Sequence, residues 1–222
     1  MRTGIAGIVI RETETSEDRE RLFRFRYAIY VEEMARTQKY ADHLLRRIEE
    51  PFDRTAANFI ALAGETIVGC IRWNGGRDTD FAEYVDFYAM QSVGKYFPER
   101  SSITTKFMVA PQYRRSALAV ELGVRCYTHA RHCGTICDFM DCNPHLEREF
   151  FRFGYRPHCD RIAHPEYGDV QPMLLLCVDY DYLRRQHSPF AAVEAGFQRE
   201  PEIVKFFNDH VFQKPIPNVY AA

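Results

Sequence analysis

The stretch that decides the fold is ITTKFMVAPQYRRSALAVELGV, residues 103–124. Residues 103–109 are rich in β-branched and apolar side chains, which predicts a buried strand that ends before Pro111. After the basic pair Arg114 and Arg115, a helix is predicted to begin near Ser116. The first N–H groups of a helix attract anions, and arginines pair with phosphate oxygens. The stretch therefore predicts a binding site for a phosphorylated ligand. The alternative is an ordinary turn between a strand and a helix, with solvated arginines.

Composition and charge place the chain among ordinary globular proteins. It has 222 residues, 46% hydrophobic content and a formal net charge of -2, which suit one domain with a tail. No basic excess points to nucleic acid, and no apolar run approaches the length of a membrane span. Seven cysteines without small-domain spacing favour reduced thiols, and the N-terminus lacks the shape of a signal peptide. We therefore expect a cytoplasmic protein without an integral membrane segment.

A metal site is not expected. The residues that could be considered as metal ligands are His129, His132, Cys133, Cys137 and Cys142. They lack a paired C-x-x-C arrangement, and a boundary between a helix and a strand would scatter them. Buried thiols and solvated histidines are the simpler interpretation.

The hydrophobic pattern predicts alternating strands and helices. A capping hydroxyl at Thr15 followed by acids predicts one helix start, and Asn143 before Pro144 predicts another, which ends at Gly154. Strands are predicted at residues 5–10, 58–63, 66–73, 103–109, 135–141 and 172–179, and helices at 16–30, 40–48, 116–133, 143–154 and 203–211, with one more helix within 74–99. Residues 1–190 are predicted to form the domain, and residues 191–222 a helical tail, extended at 215–222, that docks on the domain or on a partner.

The frame Arg114-Arg115-Ser116-Ala117-Leu118-Ala119 resembles motif A of the GNAT acyltransferases, where an Arg-x-x-Gly-x-Gly/Ala loop holds the pyrophosphate of coenzyme A. Alanine stands in place of the middle glycine, so the backbone approaches a pyrophosphate less closely. The order of predicted elements matches the GNAT layout, which implies an α/β (α+β) fold with a central mixed twisted sheet flanked by helices. The resemblance assigns donor binding to Val109, Arg114, Arg115, Ser116, Ala117, Leu118 and Ala119.

Three further motifs resemble those of the acyl-homoserine lactone (autoinducer) synthases and the long-chain N-acyl amino acid synthases. In these families a helix carries Arg-x-x-Val/Ile-Phe/Tyr-Val, an acidic segment ends in Tyr/Phe-Asp, and a strand carries Gly-x-x-Arg. The matching positions are Arg26, then Glu50 and Asp53, then Arg72, and the resemblance spans about residues 5–190. It implies an N-acyltransferase that uses an acyl thioester of acyl carrier protein or coenzyme A. Residues 181–190 resemble the end of N-acyl amino acid synthase domains, which favours that branch.

The resemblance implies roles for these residues. Glu50, Asp53 and Arg72 are expected to be catalytic, and Arg26 to bind substrate. A carboxylate near arginines can orient the ammonium of an amino-acid-like acceptor, and an arginine can pair with the carboxylate of that acceptor. The alternative is a structural salt-bridge network. On the central strand the synthases carry Glu-x-Ser-Arg-Phe, so substrate binding is assigned to Thr104, Thr105, Lys106 and Phe107.

Two departures from the families concern the chemistry. The central-strand glutamate is absent, and lysine replaces an arginine that would bind in a bidentate manner. Phe150 stands where many acetyltransferases have the tyrosine that protonates the thiolate, so that acid is unassigned. These departures keep two alternatives open, namely an acetyl-coenzyme A acetyltransferase and a non-catalytic GNAT-fold protein that binds acyl thioesters or a partner.

No tightly bound cofactor is expected, since the thioester is a co-substrate. An acidic carrier protein is an expected partner for Arg114, Arg115, Lys95 and Arg100. A homodimer is a further option. The aromatic residues of segment 81–97 either line an acyl tunnel or form core.

Overall fold

The computed structural model describes residue 5 and residues 7–212. The chain forms two compact units: the first spans Met1–Asn74 and Thr104–His129, and the second spans Gly75–Ile103 and Ala130–Ala222. The domain boundary predicted at residue 190 stays a prediction, and the segment predicted to be extended at 215–222 lies outside the described residues.

The elements follow one another with short connections. The strands are β1 (Ile8–Glu12), β2 (Ala41–Asp42), β3 (Arg47–Ile48), β4 (Ala57–Ala63), β5 (Thr66–Gly75), β6 (Ser101–Val109), β7 (Cys137–Cys142), β8 (Arg156–Pro157), β9 (Ile162–His164) and β10 (Gly168–Leu176). The helices are α1 (Ser16–Tyr27), α2 (Tyr84–Phe87), α3 (Leu118–His132), α4 (Glu147–Phe153), α5 (Tyr180–Arg185), α6 (Ala191–Glu194) and α7 (Pro201–His210). Within the described residues, no helix is long and apolar enough to cross a membrane.

The sheet of the first unit has the order β1-β4-β5-β6. β1 pairs with β4, and β4 with β5, in antiparallel register, and Gly64 makes the predicted turn between β4 and β5 with φ 58°. The core on this sheet contains Leu22 and Phe23 of α1 together with Ile60 of β4 and Met108 of β6. The strands predicted at 58–63, 66–73 and 103–109, the last of them as a buried strand, are therefore confirmed.

Helix α1 begins where the sequence predicts. The Thr15 hydroxyl accepts a hydrogen bond from the backbone N–H of Asp18 at 3.0 Å, and the Asp18 carboxylate accepts one from the N–H of Thr15 at 3.4 Å. This reciprocal capping box satisfies two N–H groups that a helix start would leave without partners. Residues Ala28–Glu33 then continue α1 as a π-helix.

The short helix predicted at residues 40–48 is wrong. The segment is a small hairpin in which Ala41 of β2 pairs with Ile48 of β3. The Asp42 carboxylate accepts a hydrogen bond from the N–H of Leu45 at 2.8 Å, and Arg46 adopts a left-handed conformation with φ 53°. A side chain that hydrogen-bonds its own nearby backbone favours a turn over a helix, which explains the error.

The sheet of the second unit is mixed, as predicted. The start of β6 pairs in parallel with β7, whereas β10 pairs in antiparallel register with β7, β8 and β9. Its core includes Phe81, Tyr88 and Tyr96, which favours the core interpretation of the aromatic segment. Ile203 and Phe207 of α7 belong to the same core, so this predicted amphipathic helix docks on its own chain.

The helix predicted after Asn143 exists but starts differently. A 3-10 turn at Pro144–Leu146 precedes α4, and the Asn143 side chain makes no capping hydrogen bond. Its amide donates instead to the carbonyl oxygens of Tyr167 and Asp169, at 2.8 and 3.1 Å. The helix ends at Gly154 with φ 109°, as predicted.

Candidate active site

Five buried ionisable residues meet in the first unit, and we call them the charge cluster: Arg26, Glu50, Asp53, Arg72 and Lys106. Arg26 lies on α1, Arg72 on β5 and Lys106 on β6. Glu50 and Asp53 cap and form the 3-10 turn Pro51–Arg54, where Pro51 favours the first helical position. Three elements and a turn thus bring together residues that are distant in sequence.

Arg26 and Asp53 form the first pair of the cluster. The Arg26 Nη1 atom lies 2.8 Å from both carboxylate oxygens of Asp53, and Nη2 donates to the Asn58 side-chain oxygen at 2.6 Å. The Asp53 carboxylate also accepts from the backbone N–H of Glu50 at 2.8 Å. These hydrogen bonds hold both carboxylate oxygens of Asp53 in place.

Arg72 and Lys106 hold Glu50. The Arg72 Nη2 atom lies 2.7 Å from one Glu50 oxygen, and the Lys106 Nζ atom lies 2.5 Å from the other. The Arg72 Nη1 atom is 3.4 Å from Asp53, and its Nε donates to the Thr105 hydroxyl at 2.9 Å. Arg72 therefore links both carboxylates to the central strand.

The cluster carries more positive than negative charge. Three cations face two carboxylates, so the sum is +3 − 2 = +1 when all are ionised. Burial alone would raise the pKa of Glu50, but the charges of Lys106 and Arg72 outweigh burial and hold this pKa well below its usual range. Burial opposes ionisation of Asp53 in the same way, and Arg26 and Arg72 lower its pKa. Both carboxylates are therefore anions at neutral pH.

Lys106 has an unusual backbone for a strand residue. Its φ of 52° lies in the left-handed region, which residues other than glycine adopt only at a cost in conformational energy. Burial alone would lower the pKa of Lys106, yet Glu50 raises it, so the ammonium stays charged. Its Nζ lies 5.0 Å from the centre of the Tyr30 ring, a cation–π contact. The side chain is thus held from two sides.

The other predicted residues of β6 fall into two groups. Thr105 contacts Arg72, and the half-buried Phe107 follows Lys106. The Thr104 hydroxyl lies 4.0 Å from the Cys126 sulfur of α3. Thr105 thus contacts a member of the charge cluster, whereas Thr104 contacts α3.

The loop between β6 and α3, residues 110–117, holds four of the seven predicted donor-binding residues, and we call it the donor loop. Val109 is the last residue of β6, and Leu118 and Ala119 are the first two of α3. Helix α3 begins at Leu118, two residues after Ser116, whose hydroxyl accepts the N–H of Leu118 at 3.2 Å and donates to the Tyr113 carbonyl at 2.6 Å. Arg115 is exposed with φ 64°. The Arg114 guanidinium binds Glu33 through Nη1 and Nη2, at 2.6 and 2.9 Å. The only cation in this loop that is exposed and not in an ion pair among the described residues is thus Arg115.

Two residues that the sequence analysis considered, Arg100 and Phe150, lie in the second unit and contact other residues of that unit. Arg100 pairs with Glu200 through two contacts of 3.0 Å. Phe150 packs against the Tyr155 ring at 6.1 Å, and the Tyr155 hydroxyl donates to Asp138 at 2.6 Å. No group of three His, Cys, Asp or Glu side chains within residues 7–212 is arranged to hold a metal ion.

Sequence reasoning missed three neighbours of the site. Asn58 binds Arg26, Tyr30 contacts Lys106, and Glu33 binds Arg114. The role of Asn58 could have been predicted, because a lone polar residue at the start of the apolar strand ANFIALA needs a buried hydrogen-bonding partner. The contacts of Tyr30 and Glu33 could not have been predicted from the sequence, since their positions depend on the π-helical turn.

Comparison with known proteins agrees with this geometry. Residues 25–123 match the family model described as acetyltransferase (GNAT) domain, a range that contains the charge cluster and the donor loop. No curated protein matches the sequence.

Several solved structures share the fold at low sequence identity. FeeM, an N-acyl amino acid synthase from uncultured soil microbes, has a TM-score of 0.62 at 16% identity, over 83% of this chain and 97% of FeeM. BjaI, a coenzyme A-dependent acyl-homoserine lactone synthase, has a TM-score of 0.64 at 14% identity, over 90% of this chain and 99% of BjaI. MesI, another such synthase, has a TM-score of 0.60 at 20% identity, over 86% and 97%. Residues 25–123 of this chain are thus similar to a GNAT acetyltransferase domain, and its fold resembles that of the N-acyl amino acid and acyl-homoserine lactone synthases.

Proposed function

We propose that the protein is an N-acyltransferase that moves an acyl group from an acyl thioester to the amine of an amino-acid-like acceptor. The product is an N-acyl amino acid or a related signal. The donor is a thioester of acyl carrier protein or of coenzyme A, and the donor loop is its binding site. The location proposed is the cytoplasm, in keeping with seven cysteines that form no disulfide in the described residues.

The observation that carries the proposal is the buried charge cluster, in which three cations are arranged around two carboxylates. Arg26 and Arg72 are fully buried at fixed positions in this cluster. Guanidinium groups recognise the carboxylate of an amino acid through charge-assisted hydrogen bonds. Glu50 is the most accessible member, with a side chain 9% exposed, so it is the member that an acceptor ammonium would meet.

The chemistry sets limits on what the carboxylates do. The amine nitrogen must lose a proton, form a bond to the thioester carbonyl carbon and expel the thiolate as the C–S bond breaks. A general base works best with a pKa near the working pH, whereas Glu50 and Asp53 have lowered pKa values. We therefore assign them the role of fixed charges that orient the acceptor, whose ammonium releases its proton through water to the bulk solvent before the amine attacks.

Two other functions each have one observation in their favour. The matching family model is described as an acetyltransferase domain, which favours transfer of an acetyl group from acetyl-coenzyme A. The complete burial of Arg26 and Arg72 favours a structural network in a non-catalytic binding protein.

An assay with purified protein separates the three functions. The protein is incubated with amino acids and with donors from acetyl to palmitoyl, each as the coenzyme A and the carrier-protein thioester, and N-acyl products are identified by mass spectrometry. We expect long-chain products, their loss in Asp53→Asn, and full activity in Asp42→Asn, a change at the surface hairpin. Acetyl products alone would establish the acetyltransferase. Donor binding without any product would establish the binding protein.

A further inference from the structure

Arg114 of the donor loop has both of its binding edges occupied. Its Nη1 and Nη2 atoms lie 2.6 and 2.9 Å from the two oxygens of Glu33, and its Nε donates to the Val109 carbonyl at 3.0 Å. A guanidinium binds a carboxylate or phosphate in a bidentate manner through either the Nη1/Nη2 edge or an edge that includes Nε. With Glu33 on one edge and Val109 on the other, neither edge remains for a phosphate.

Glu33 reaches Arg114 from an unusual segment. It is the last residue of the π-helix Ala28–Glu33, where the N–H of Met34 donates to the Ile29 carbonyl at 3.0 Å. In an α-helix each residue is rotated by about 100° about the helix axis relative to the residue before it. A π-turn contains more residues per turn, so the residues at its end point in a different direction than they would in an α-helix. Turns of this kind are rare and occur frequently at functional sites.

The ion pair is accessible and can be exchanged. The Arg114 side chain is 45% exposed and the Glu33 side chain 31% exposed. An exposed ion pair is worth little, because water screens it and two side chains must be ordered. A phosphate with more charge and more acceptor oxygens than a carboxylate is a stronger partner for the same guanidinium.

We propose that Glu33 competes with the donor for Arg114: the phosphate of the donor replaces the Glu33 carboxylate, and Glu33 thereby sets donor affinity. This inference rests on the proposed function, which places the donor at this loop. The chemistry recognised is a phosphate ester or pyrophosphate, which coenzyme A and the phosphopantetheine of a carrier protein share. The opposite role, in which Glu33 holds Arg114 ready for the donor, predicts the opposite effect of a mutation.

The test measures binding of the donor scaffold without any reaction. Isothermal titration with coenzyme A, and separately with phosphopantetheine-loaded carrier protein, gives the Kd for wild type, Glu33→Gln and Glu32→Gln. Glu32 is the matched control, because it is the preceding acid and pairs with Arg46. We expect Glu33→Gln to bind about two- to fivefold more tightly and Glu32→Gln to bind like wild type. Circular dichroism checks that each variant is folded.

A double-mutant cycle assigns the effect to Arg114. In the Arg114→Ala background, Glu33→Gln is expected to change the Kd no further. Weaker or unchanged binding by Glu33→Gln overturns the inference while the donor site stands. If wild type binds neither coenzyme A nor the carrier protein, the donor site of the proposed function fails, and the inference fails with it. A response to only one of the two probes identifies the donor class.

Discussion

Two carboxylates and three cations share a buried space around β5, and their charges follow from that arrangement. Arg26, Glu50, Asp53 and Arg72 were predicted from short motifs, and the structure links them through three ion pairs of 2.7 to 3.4 Å. Their catalytic roles stay predictions. The left-handed backbone of Lys106 was not predictable, because no local feature of residues 103–109 demands a positive φ.

The pH dependence of stability tests the ionised state of Asp53. Its folded-state pKa is lowered, so its contribution to stability is complete above its ordinary pKa of about 4 and is lost as the pH falls through the lowered value. We expect Asp53→Asn to reduce the free energy of unfolding by about 3–5 kcal/mol near pH 7, because it leaves buried cations uncompensated. The difference from wild type should shrink below about pH 4.

Urea unfolding of both proteins, near pH 7 and again at about pH 3, measures that difference. Asp42→Asn serves as the control, because its side chain keeps the oxygen that accepts the Leu45 N–H. A difference that is the same at both pH values would mean that Asp53 stabilises the fold through something other than its charge.

Among the elements, those with a complete local signal were predicted best. Helix α1 combines a capping residue, acids in its first turn and apolar spacing, and it starts at Ser16. The hairpin β2–β3 was missed because the turn depends on a single Asp42 hydrogen bond, and β8 and β9 were missed because strands of two and three residues carry no periodicity. Residues that pair through tertiary contacts decide these short elements.

The capping box of α1 gives a prediction at this scale. Thr15→Ala removes the hydroxyl that accepts the Asp18 N–H, and we expect a loss of about 1 kcal/mol in the free energy of unfolding. Thermal and urea unfolding measure the loss. Ser16→Ala, at the next position, which is also exposed, should cause no such loss. Equal losses in the two variants would show that the cap contributes nothing specific.

At the scale of the whole molecule, the mixed sheet with helices was predicted because the order of elements resembles the GNAT layout, and the shared fold of FeeM and BjaI agrees with it. The pairing of Glu33 with Arg114 could not be predicted, because 81 residues separate them and the contact depends on a π-turn. The sequence motifs therefore indicated which residues matter, whereas the folded chain determined which of them bind one another.

Mass spectrometry of lipid extracts from bacteria that express the protein tests N-acyl transfer most directly. Extracts with wild type are compared with extracts that contain equal amounts of soluble Asp53→Asn or Asp42→Asn protein. We predict a new N-acyl amino acid or acyl lactone with wild type and Asp42→Asn, and its absence with Asp53→Asn. Cells that do not express the protein serve as a further control. If extracts of these cells contain the same N-acyl compounds as extracts with wild type, long-chain N-acyl transfer is contradicted.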